Sequence, residues 1–180
     1  MKVKVVAVLA MFASAFASSA WAELPPDVAA KVEVMKKKLV DWAANPAVVS
    51  ATKASNGSDG VLAGMTNSKW DELTDKDPQV MGFQTSAVGK LVVEWEQDKT
   101  IGKLYVRDQK GNLVASSATK PLLYNVATRP PFINAMKGAP WATGEIKPDP
   151  TTQAKSVQVS APVMDGGKAI GVIHANISVE

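Results

Sequence analysis

The chain has 180 residues, with 20 Lys and Arg against 17 Asp and Glu, one histidine and no cysteine. Without cysteine there is no disulfide framework and no thiolate metal site, so an apolar core must supply the stability, which a domain of this size can do. No basic run interleaved with aromatics is present, which argues against nucleic acid as a partner.

The opening "MKVKVVAVLAMFASAFASSAWAE" places Lys2 and Lys4 before an apolar run from Val5 to Phe16 and a small-x-small site at Ala20-Trp21-Ala22. This is the layout of a secretory signal peptide over residues 1–22, cleaved after Ala22. Its apolar run is about 12 residues, short of the roughly 20 a membrane span needs. Once Lys2 and Lys4 are removed, 18 basic residues face 17 acidic ones, so the exported chain, a single domain over 23–180, is close to neutral. A periplasmic location follows from the leader.

Leu24-Pro25-Pro26-Asp27 reads as a helix start with Asp27 as N-cap. From there Val28, Val32, Met35, Leu39, Trp42, Pro46 and Val49 recur at steps of four and three, an apolar seam. It is interrupted at "AANPAVV", where Asn45 can cap and Pro46 can open a second helix. The seam fits a helix packed on its own sheet, or one that also forms a helix–helix homodimer contact; the spacing does not separate the two. "SNGSDG" is a loop, and "NSKWDELTDKDPQ" a short helix capped by Asn67 or Ser68 and stopped by Pro78.

"LVVEWEQ" and "GKLYVRD" alternate as strands do, and "QKGN" turns the second back on "LVASS", a hairpin over residues 101–117. A short helix is expected from Pro130 to Lys137, since proline is tolerated in a first turn. "ATGEIK", "SVQVSAPVM" and "KAIGVIHANIS" are three further strands, the last two joined by "DGGK". Helices followed by an antiparallel meander indicate an α+β domain with a helical layer on one sheet.

Catalysis finds little support. His174 is the sole histidine, no G-x-S-x-G elbow or Gly-rich phosphate loop is present, and paired acids such as Asp71/Glu72 fit solvated positions. No metal site and no cofactor is expected. A binding role has better candidates. In "ATRPPFINAMKGAPW", Arg129 offers a planar fork for a carboxylate. Phe132, Trp141 and the nearby Tyr124 can exclude water around it, and Pro130 and Pro131 stiffen the backbone. The alternative is that Arg129 caps a surface turn while Phe132 and Trp141 fill the core.

"GKLYVRDQKGNLVASS", "TRPPFINAMKG" and "SAPVMDGGKAIGVIHANIS", in that order, resemble the hairpin, Arg-Pro-aromatic helix and closing hairpin of Cache domains. "WAANPAVVSA" is similar to the end of their long N-terminal helix. Cache domains are the extracytoplasmic, PAS-like sensor domains of bacterial chemoreceptors and histidine kinases. The resemblance implies a five- or six-stranded antiparallel sheet, a long N-terminal helix packed on one face, and a ligand pocket under the loops of the other. Tyr124 and Arg129 stand at the Tyr-x4-Arg spacing of amino-acid-binding members. Pro131 and Phe132 replace their Trp-Tyr pair, and Asn176 stands where they commonly have Asp.

The resemblance thus implies that the carboxylate half of the site is kept and the ammonium half is missing. The expected function is a soluble periplasmic sensor module for a small organic anion, a mono- or short dicarboxylate, presenting its ligand state to a membrane chemoreceptor or histidine kinase. The alternative is a docking or dimerising module without a small ligand. His174 and Asn176, two apart on a strand, share a face. His174 then either lines the cavity and titrates near neutral pH, or is a satisfied core histidine. Tyr105 shares a face with Arg107 and is placed at the ligand site, while Arg107 itself is read as a solvated strand end in preference to a second anion contact.

Overall fold

The computed structural model describes residues 24–179; the expected leader, residues 1–22, lies outside them. The first helix, α1 (Pro26–Ala43), begins at Pro26, so Asp27 is in the first turn instead of at the cap, where its charge still complements the helix N-terminus. Asn45 then caps α2 (Pro46–Asn56) as expected, its side chain accepting from the Ala47 N–H at 2.9 Å. Thr66 caps α3 (Asn67–Glu72). Pro78 does not stop α3, which already ends at Glu72; it opens α4 (Pro78–Thr85) in the position where its missing N–H costs nothing.

The "LVVEWEQ" segment is helical, not extended. It belongs to α5 (Ala87–Trp95), whose cap Ser86 accepts from the Gly89 N–H at 3.0 Å. Val88 and Val92, four apart, are the buried face, and Trp95, four after Leu91, stacks on Trp42 at a centroid distance of 5.0 Å. A helical period runs beneath the apparent alternation.

The sheet begins with β1 (Ile101–Asp108) and β2 (Leu113–Ser116), the expected hairpin. Asp108 ties its turn, accepting from the Lys110 and Asn112 N–H groups, and accepts also from Ser55 of α2. Next come α6 (Pro130–Ala135), β3 (Trp141–Ala142) and β4 (Lys147–Pro148). The single strand expected at "ATGEIK" is thus two short pieces on one edge. The closing hairpin is β5 (Lys155–Asp165) and β6 (Lys168–Ser178), turned through Gly166 and Gly167, both at positive φ. All pairs are antiparallel, in the order β2-β1-β6-β5-β3, with β4 also on β5.

This is an α+β fold with one six-stranded sheet. Its two faces follow from strand alternation. Leu104, Val106, Val157, Val159, Ala161, Ile173, Ala175 and Ile177 form the main core with Val28, Val32, Met35 and Leu39 of α1. Met35 is 2% and Leu39 0% exposed. The first half of the apolar seam is therefore consumed by the chain's own sheet, and those residues are not a surface for a second chain. Gly171 lets α2 approach, since a Cβ there would sit 2.6 Å from Thr52 Cγ2 and 2.3 Å from the Arg107 carbonyl oxygen. The opposite face of the sheet carries Tyr105, Arg107, Ser156, Gln158, Ser160, His174 and Asn176, and is the polar one. Among the described residues, no helix is long and apolar enough to cross a membrane.

Candidate functional site

The polar face is covered by the long connection from β2 to β5, and the sequence pins that connection at several points. Trp70 of α3 is wholly buried and donates its Nε1–H to the Pro121 carbonyl at 2.7 Å. Asn67 and Asn125 exchange side-chain-to-backbone bonds at 2.8 and 3.0 Å. Further along, Ser160 of β5 donates to the Pro131 carbonyl at 2.9 Å and fixes the start of α6. Between this cover and the strands lies a cavity of about 590 Å³, walled by Leu123, Val126, Phe132 and Trp141 on the apolar side and by Arg129, Gln158, His174, Asn176 and Asp149 among its polar groups. That size is in the range of small-ligand pockets.

Five of the seven residues named from sequence line this space: Arg129, Phe132, Trp141, His174 and Asn176. Phe132 is 7% exposed and Trp141 half-buried. Arg129 is exposed at the rim, so the guanidinium is not held in a dry niche as its proline-rich setting suggested. Tyr124 and Tyr105 do not border the cavity; both belong to a neighbouring cluster with Trp70, Phe83 and Leu113. Tyr124 packs against Trp70 and Phe83, and its hydroxyl meets the backbone of Leu62. Tyr105 lies against the His174 ring at a centroid distance of 5.0 Å, and burial pushes its phenol far up.

Two further residues carry chemistry that the sequence did not signal. Arg107, read as a solvated strand end, is 2% exposed. Its Nε–H donates to His174 Nε2 at 3.3 Å, and Nη1 donates to the carbonyls of Leu123 and Tyr124 at 3.1 and 2.6 Å. It takes part in none of the ion pairs among the described residues. Burial brings the guanidinium down to about 10, still far above neutral, so a cation is held in the interior with no acid at contact distance. The carbonyls, the His174 nitrogen, the Tyr105 face and the more distant Asp108 charge offset part of the cost of burying it. Burial, and then the Arg107 charge, push His174 well below the usual histidine range. Of the two alternatives for His174, a ring that titrates near neutral pH and a satisfied core histidine, this shift favours the second.

Asp149, just past β4, is the second. It is 5% exposed and borders the cavity. One carboxylate oxygen accepts from Lys103 Nζ at 2.6 Å and from the Thr151 and Thr152 N–H groups, and the other accepts from Asn176 Nδ2 at 2.7 Å. Burial alone would raise this carboxyl, but those bonds outweigh it and hold it far below the ordinary carboxylate range. The cavity thus does contain an acid, whereas the resemblance implied that the anionic half of an amino-acid site is missing. Lys103 already neutralises it, and Asn176 is held as its donor. Lys147 at the wall is likewise paired, to Glu145 at 2.7 Å. Arg129, and Arg107 with the Asp108 charge nearby but not in contact, are the cations of this region without an ion pair among the described residues.

No family model and no curated protein matches the sequence. Among solved structures, the chain is similar to the sensor domain of the V. cholerae histidine kinase DctB, with a TM-score of 0.59 and 15% identity over 85% of this chain and 51% of that one. The chain therefore spans about half the length of that sensor domain. The ligand-binding domain of the Pseudomonas aeruginosa PAO1 amino acid chemoreceptor PctC, in complex with GABA, aligns at a TM-score of 0.45 and 16% identity, over 83% of this chain and 62% of that one. That of the Campylobacter jejuni chemoreceptor Tlp3, in complex with 4-methylisoleucine, aligns at 0.42 and 18%, over 82% and 60%. The DctB likeness, the antiparallel sheet with its helical layer and the loop-covered opposite face agree: the described residues have the fold of a single PAS-like Cache domain.

Proposed function

We propose that this chain is a periplasmic ligand-binding sensor module that takes a small organic anion, a mono- or short dicarboxylate, into the cavity between sheet and covering loop. The observation that carries the reading is the charge balance around that space. Its acid is already paired with Lys103, whereas Arg129 at the rim and Arg107 behind His174 have no acidic partner among the described residues. A carboxylate entering the cavity gains charge-assisted bonds of roughly 1.5–3 kcal/mol each when desolvated. Phe132 and Trp141 give the cavity an apolar wall inside the exposed Arg129 rim, and the stapled cover lowers the entropy cost of holding the site open. To act as a sensor, the module presents its ligand state to a membrane chemoreceptor or histidine kinase, which requires that the ligand favour one of two shapes.

The test is a thermal-shift panel of acetate, propionate, pyruvate, succinate, malate and neutral or zwitterionic amino acids. One or more simple acids raise the melting temperature in a saturable way, and Arg129→Ala weakens the effect without lowering the unliganded melting point. If only amino acids stabilise the protein, Asp149 receives an ammonium group and the ligand class is wrong. If nothing in the panel does, the cavity is not an anion site.

A further inference from the structure

Resting on that reading, we infer that His174 receives the anion as a neutral hydrogen-bond donor, through Nδ1, and that Arg107 behind it fixes the ring in that tautomer. Arg107 Nε–H points at His174 Nε2 at 3.3 Å. A guanidinium has donors only, so Nε2 must be the unprotonated nitrogen, and the proton of the neutral ring is on Nδ1. Every buried side-chain nitrogen and oxygen among the described residues has a hydrogen-bond partner. The bond made by His174 is at Nε2. Nδ1 is therefore not among the buried atoms, and it opens to the cavity that the ring lines. It is a donor with no acceptor from the protein, next to a space sized for a small ligand.

Arg107 supplies what the ring lacks. It does not border the cavity itself, yet its charge lies one imidazole away from it. The guanidinium is held in place by the Leu123 and Tyr124 carbonyls and by the face of Tyr105, 5.4 Å from its carbon to the ring centroid. An anion accepting from Nδ1–H makes a donor chain, guanidinium to imidazole to carboxylate, in which each bond polarises the next. The buried cation then has its counter-charge without direct contact. Arg107 is in this sense a positioning residue, and Arg129 at the rim the group that meets the anion on entry. A cation or a donor-only ligand finds no acceptor at His174, which sets the sign of ligand that this end of the cavity takes.

His174 is the chain's one histidine, so ¹⁵N-histidine labelling of the intact protein gives a single ring to read by two-bond proton–nitrogen correlation. The free protein at pH 7 shows a neutral ring with the proton on Nδ1. Adding sodium acetate or sodium succinate moves the Nδ1–H resonance downfield, and this saturates together with the thermal shift. Arg107→Gln loses the single tautomer and binds about tenfold to a hundredfold more weakly, as His174→Leu does, since each removes a charge-assisted link. A proton on Nε2 in the folded wild-type protein overturns the inference, whether or not the variants fold. Saturable binding of an acid that leaves the Nδ1–H resonance in place overturns it too, with the anion cavity intact. Absence of binding by any acid overturns both.

Discussion

Acid weakens this fold at one identifiable proton. In the unfolded chain His174 takes up a proton near pH 6.5. In the folded chain burial and the Arg107 charge keep the ring neutral well below that value. Below pH 6.5 the unfolded state therefore holds more protons than the folded one, and stability falls as pH falls; above it the contribution is present in full. The slope cannot exceed about 1.4 kcal/mol per pH unit, so the loss between pH 8 and pH 5 is at most about 2 kcal/mol. The groups facing the ring do not confuse the reading. Tyr105 and Arg107 keep their charge states across this range, and Asp149 stays ionised through its bonds from Lys103 and Thr151. Asp98, held down to about 2 by its bonds from Lys38 and Thr100, and Glu96, raised by burial, titrate alike in wild type and variant. Urea unfolding of wild type and His174→Gln at pH 8, 6.5 and 5 isolates the term as a difference of differences. The wild type loses more than the variant on going to pH 5, by up to about 2 kcal/mol. Parallel curves, or a wild type that gains on the variant in acid, would refute a neutral ring beside the buried guanidinium.

Two further substitutions test how the site is built. Gly171→Ala forces a Cβ against the Arg107 carbonyl and Thr52, backbone on one side and a packed helix on the other, and lowers stability by about 1–3 kcal/mol in urea melts. Trp70→Ala removes a fully buried ring and the donor to Pro121, at a cost of about 3–5 kcal/mol. It also raises amide hydrogen exchange across residues 119–129, because the cover loses its anchor; unchanged exchange there would mean that the Asn67–Asn125 bonds hold the cover alone.

The long helix, both hairpins and the two sheet faces were legible because each rests on a local period: four-and-three steps in α1, alternation in β1, β5 and β6. Leu91 to Gln97 misled because a short apolar run fits both periods, and the four-residue pairs Val88/Val92 and Leu91/Trp95 decide it only once the preceding residues are included. In the site, Asn176 followed from the resemblance to Cache domains, and strand alternation then put His174 on the same face. Tyr124 did not, because spacing from Arg129 says nothing about which way an irregular loop turns its side chains, and here the aromatic cluster around Trp70 takes the ring. Arg107 was misread for a related reason. Its burial is produced by carbonyls of a loop 16 and 17 residues along the chain, and no local pattern records a long-range cover. Asp149 lies in a stretch with no period, between a two-residue strand and a turn, and only the fold brings it to Asn176.

The central claim is that an acid settles between the sheet and its loop cover. Amide chemical-shift mapping of the uniformly ¹⁵N-labelled protein during titration with succinate and with acetate tests it most directly. The account predicts saturable shifts centred on Phe132, Thr143, His174 and Asn176, with Trp70 and Tyr124 little changed. Shifts that never saturate, that scatter over the lysine-rich outer face of α1, or that centre on the Trp70–Tyr124 cluster would contradict it.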